Sequence, residues 1–149
     1  MAVKFDQHID VGAPSDKVWS IISNIETWPM WFPDLEQVTG MKEVGSGSTF
    51  QWSSGGETGS GSIVSADASA GHLQVITQLG DSQVTHSFDL DRSGGFLGLG
   101  GDDTRLRYTM EYDPPGGFLG DFVAGGNPKD LIKVKQTLEK VKGLAEGRA

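Results

Sequence analysis

The chain contains no cysteine. That excludes disulfides, thiolate metal sites and a cysteine nucleophile, and leaves packing as the source of stability. Basic residues are scarce: 12 Lys and Arg stand against 20 Asp and Glu, for a formal net charge of −8. Nucleic-acid binding draws on counterions displaced by Lys and Arg, so nucleic acid and anionic membrane are not expected partners. Long hydrophobic runs are missing too. No apolar stretch is long enough to cross a bilayer, and Met1-Ala2-Val3-Lys4 lacks the apolar core of a signal peptide. The expectation is a cytoplasmic protein with no integral membrane segment. The 3 histidines show no metal-ligand spacing, so neither a metal nor another cofactor is expected.

What is present is glycine, 22 residues in 149, about twice the usual share of roughly 7%. It clusters at 45–61, 94–101 and 116–126, which reads as turns between strands. Gly45-Ser46-Gly47 and Gly98-Leu99-Gly100-Gly101 lack the strand-to-helix setting of a phosphate loop and read as hairpin glycines. With no internal repeat and no domain-length linker, residues 1–149 read as a single domain.

Lys4–Val11 alternates, Phe5, Gln7, Ile9 and Val11 on one side and charged or polar residues on the other, as a half-buried strand does. Ala13-Pro14-Ser15-Asp16 opens a short helix whose Val18, Ile21, Ile22 and Ile25 recur at helical spacing, ending near Ile25. Trp28-Pro29-Met30-Trp31-Phe32-Pro33 permits one helical turn between its prolines. Strands follow at Val38–Val44, Ser48–Trp52, Thr58–Ala66, His72–Leu79, Gln83–Asp91 and Thr104–Tyr112, an antiparallel meander with short links. Asn127-Pro128 then caps a helix of about five turns whose Leu131, Val134, Leu138, Val141 and Ala145 form a buried face. Lys129, Lys133, Lys140 and Lys142 read as its solvated face.

Strand alternation puts Val84, His86, Phe88 and Leu90 on one face, Leu106, Tyr108, Met110 and Tyr112 on another, and pairs Phe50 with Trp52. Gln7, His86 and Tyr108 are then polar groups on apolar faces, each needing a protein partner or a ligand, because an unpaired buried polar group costs about 1–3 kcal/mol. For His86 three roles stay open: a core histidine bonded to Tyr108 or Gln7, a ligand anchor, or an acid/base group. His8 and His72 fall on outward faces, as do Arg105 and Arg107. Asp102-Asp103 and the pair Asp89 and Asp91 read as solvated carboxylates. Trp28 and Trp31 read as packing beneath the last helix; Phe32 serves equally as packing or as part of an aromatic lid. Phe118, Leu119 and Phe122, in a glycine-punctuated stretch, read as a gate.

The order strand, two short helices, six strands, long helix, with Ala13-Pro14, Val18-Trp19, Trp28 to Pro33, Gly47-Ser48-Thr49-Phe50, Thr104-Arg105-Leu106 and Glu111-Tyr112-Asp113-Pro114-Pro115-Gly116-Gly117, resembles the START-like (SRPBCC) superfamily. Polyketide cyclase/dehydratase-type proteins and the birch-pollen-allergen family are among its members. The resemblance implies an α+β helix-grip fold: a curved seven-stranded antiparallel sheet wrapped around the long C-terminal helix, two short helices between the first and second strands, and a cavity between sheet and helix. Its mouth would lie near Ser53–Glu57, Gly80–Ser82 and Asp113–Gly120. The first functional expectation is a non-catalytic binder of a small hydrophobic molecule, held by Phe50, Trp52, Phe88, Tyr108, Met110, Phe118, Phe122, Leu131 and Val134, with His86 and Gln7 orienting its polar end. The alternatives are a polyketide cyclase, aromatase or dehydratase using His86 and Tyr108, and a protein-interaction module using Trp31, Phe32 and the 96–99 loop. A homodimer is compatible with the sequence.

Overall fold

The computed structural model describes residues 3–32, 35–40, 45–54, 56–79, 82–91, 103–112 and 128–147. Seven strands form one sheet: β1 (Val3–Val11), β2 (Gln37–Thr39), β3 (Thr49–Ser54), β4 (Glu57–Asp67), β5 (His72–Leu79), β6 (Ser82–Asp91) and β7 (Thr104–Tyr112). Their order is β1-β7-β6-β5-β4-β3-β2, every pair antiparallel. The consecutive strands β2 to β7 are neighbours, as their short links require, and β1 joins the far edge beside β7. The helices are α1 (Ser15–Ile22), α2 (Trp28–Trp31) and α3 (Pro128–Ala145).

The expected architecture is therefore present, with shifts at element ends. The first helix stops at Ile22 rather than near Ile25, because Asn24 turns out of it and its side chain accepts from Glu26 N at 3.0 Å, capping a separate 3₁₀ turn over Ile25–Thr27. The second strand, expected over Val38–Val44, is Gln37–Thr39; residues 41–44 lie outside those described. In β4 the register shifts between Ile63 and Ser65, and this bulge turns Val64 out to solvent.

β3 and β4 are fitted to each other by an exchange of ring for glycine. Trp52 faces Gly59 and Phe50 faces Gly61, and a Cβ on either glycine would stand within the opposing ring. Both rings consequently lie down on the sheet and are buried.

α3 packs against β1, β7, α1 and α2, burying Val134, Leu138, Val141 and Ala145. Its C-terminal end is tied to the turn after β1. Lys142 Nζ donates to Asp10 O at 2.6 Å and to Glu146 Oε2 at 2.8 Å, and Gly12 N donates to the same carboxylate oxygen at 2.6 Å. Lys142 is thus a latch rather than part of a solvated face. The helix finishes where β1 finishes, which leaves its first turn, with Leu131, toward the end where β7 stops. Among the described residues no helix is long and apolar enough to cross a membrane.

Candidate functional site

Across β1, β7, β6 and β5 the register arranges the inward side chains in rows. Val3, Tyr112, Val84 and Thr77 form the first, at the end where β7 stops. Phe5, Met110, His86 and Val75 form the second, and Gln7, Tyr108, Phe88 and Leu73 the third. Side chains one row apart on adjacent strands are diagonal neighbours, within reach when they are long or aromatic. His86 therefore meets Tyr108 on one side and Thr77 on the other. Its Nδ1 lies 2.6 Å from Tyr108 Oη and its Nε2 lies 3.0 Å from Thr77 Oγ1.

Both imidazole nitrogens are thereby engaged. A neutral imidazole offers one donor and one acceptor, and either hydroxyl can complement either role. Burial pushes the His86 pKa down to about 3, so the ring is uncharged at neutral pH. Aromatic rings close the site. Phe88 stacks on Tyr108 with centroids 4.5 Å apart, and Phe32 meets the His86 ring edge-on at 4.8 Å. Tyr108 is 0% exposed and His86 3%.

Along β5, β6 and β7 accessible surface increases toward the first row. Phe5 keeps 8%, Met110 5% and Thr77 7%, and Val84, Tyr112, Leu79 and Leu131 are only half-buried. Phe88, Leu73, Val75 and Leu106 are sealed. No buried side-chain nitrogen or oxygen among the described residues lacks a partner, and no three His, Asp or Glu side chains there converge as metal ligands would.

The expected site residues divide accordingly. His86, Tyr108, Phe50, Trp52, Phe88, Met110 and Val134 are buried, with Leu131 half-buried in the first turn of α3. Gln7 is half-buried on the edge strand opposite Tyr108; the second partner of His86 is Thr77 instead. Phe118, Leu119 and Phe122 lie outside the described residues, as does the 96–99 loop. Trp28 and Trp31 are buried as expected, in a helix that packs against α3, and their rings also meet the sheet: Trp28 packs edge-on to Phe50 and Trp31 edge-on to Phe88, both at 5.4 Å. Phe32 is buried with them, so it forms neither an open lid nor, with Trp31, a contact surface. His72, expected in solvent, is half-buried and pairs with Asp89 at 2.6 Å across β5 and β6. Arg105 and Arg107 do point outward, to Asp10 and Asp6.

Thr77 was legible in the sequence and missed. It alternates with Leu73, Val75 and Leu79 and is a polar group on an apolar face, the same signal that marks His86. Phe32 carried no such signal, because its place depends on how α2 folds back.

Residues 2–146 match the family described as polyketide cyclase / dehydrase and lipid transport. The chain belongs to that family. Solved structures agree in fold. The ZhuI aromatase/cyclase from Streptomyces sp. R1128 is 17% identical, with 99% of this chain and 96% of that one covered and a TM-score of 0.72. Norcoclaurine synthase from Thalictrum flavum, in complex with dopamine and hydroxybenzaldehyde, is 13% identical, with 100% and 89% covered and a TM-score of 0.69. Ara h 8.0201 is 11% identical, with 99% of each chain covered and a TM-score of 0.66. No curated protein matches the chain. At these identities the likeness of this chain to the three structures is one of fold, and function has to be argued from the site.

Proposed function

We propose that this member of the family binds a small, uncharged hydrophobic molecule of lipid, polyketide or aromatic type between the sheet and α3, without transforming it. The observation that carries this reading is the closed polar network on the inner face. His86 spends both nitrogens on Tyr108 and Thr77, and it is neutral. General acid or base work needs a group within hydrogen-bond reach of the reacting atom, and these three are turned toward one another. The half-buried apolar surface of Val84, Tyr112, Leu79 and Leu131 offers a ligand burial at about 25 cal/mol per Å², beside Thr77, the polar inward side chain of the first row.

A second reading, a cyclase or dehydratase, is favoured by the 2.6 Å contact of Tyr108 with His86, since a phenol backed by an imidazole can pass a proton. It requires the sealed pair to become accessible.

The test is native mass spectrometry of the protein purified from its own host, alongside titration with the neutral dye N-phenylnaphthylamine, for wild type and Val84→Trp. The binder reading expects a co-purifying molecule or dye binding in wild type and its loss when the indole fills the first row, with melting temperature kept. Wild type that carries nothing and binds no dye would refute it.

A further inference from the structure

Phe32 covers the sealed part of the inner face, over the second and third rows. It follows directly on α2, a single helical turn with Pro29 at its start, and its N–H is tied back to Trp28 O at 2.7 Å. Its ring touches the second row at His86, 4.8 Å between centroids, and the third row at Phe88, 5.9 Å. Behind it Trp28 and Trp31 hold it at 5.1 and 5.3 Å. The ring thus reaches the inner face from α2, outside both the sheet and α3.

We propose that Phe32 is the specificity-determining plug of the pocket: it sets the depth to which a ligand enters from the first row and keeps that ligand off the His86–Tyr108 pair. The inference rests on the binder reading above and adds a length limit to it. Wild type accepts a short or flat apolar molecule that stops in the first row, at Val84 and Tyr112. Without the ring, a longer one reaches His86.

The experiment uses a homologous series of straight-chain primary alcohols, pentanol to decanol, titrated calorimetrically into wild type, Phe32→Ala and the milder Phe32→Leu, with ¹⁵N shifts of the His86 ring followed in parallel. In wild type, affinity rises about fourfold per added carbon until a break, and the His86 shifts stay still at saturation. In either folded variant the break moves to a longer alcohol and the His86 shifts respond. An unmoved break in both variants, or His86 shifts that already respond in wild type, overturns the plug while leaving the binder reading intact. If Phe32→Ala does not fold, Phe32→Leu and the wild-type shifts decide. No binding of any alcohol to wild type overturns both readings.

Discussion

If His86 is held neutral by burial, its titration must appear as lost stability in acid. Its pKa is pushed down to about 3 in the folded chain, against about 6.5 in an unfolded one. Between those values the unfolded state binds the proton and the folded state does not, so stability falls as pH falls. The contribution is intact above about 6.5 and erodes below it down to about 3. At pH 4.5 the unfolded ring is protonated by about two pH units, which at 1.36 kcal/mol per unit removes about 3 kcal/mol relative to pH 7.5. That is a sizeable part of the 5–15 kcal/mol typical of a domain. The assay is urea denaturation of wild type and His86→Gln at both pH values. Subtracting the variant cancels every ionisable group that the two proteins share. The expected difference of differences is about 3 kcal/mol, wild type losing more. Parallel losses in the two proteins, or a folded-state His86 resonance titrating near 6.5, would refute the claim that this ring is buried and uncharged.

Tyr108→Phe strips His86 Nδ1 of its 2.6 Å partner and should cost about 1–3 kcal/mol in the same denaturation assay; Thr77→Val should cost a similar amount through the other nitrogen. Gly61→Ala places a methyl within the Phe50 ring and should destabilise by about 1–3 kcal/mol, with Gly61→Ala/Phe50→Leu recovering part of the loss. Glu146→Ala releases Gly12 N and Lys142 together and should cost about 1.5–3 kcal/mol, whereas Arg105→Ala, at an exposed pair, should cost under about 1 kcal/mol. A melting-temperature series separates the two classes.

The amino-acid sequence determined on its own those features that arise from neighbours along the chain. Side chains alternate with a period of two in a strand whatever the strand pairs with, so the inward facing of His86, Phe88, Tyr108 and Met110 and the outward facing of Arg105 and Arg107 were legible directly. The same holds for the buried stripe of α3, which needs only the helical period. Partnerships were not legible, because register is set by hairpin geometry and by packing between distant segments. Only the folded chain could put Thr77, and not Gln7, on His86 Nε2, since that depends on Val75 lying opposite His86. Likewise a lysine that periodicity assigns to solvent becomes a latch once α3 lies along β1 and brings Lys142 to Asp10, 132 residues away in sequence. Phe32 is the clearest case: a proline-bounded turn states nothing about where its ring will rest, and tertiary packing alone set it against the one buried histidine.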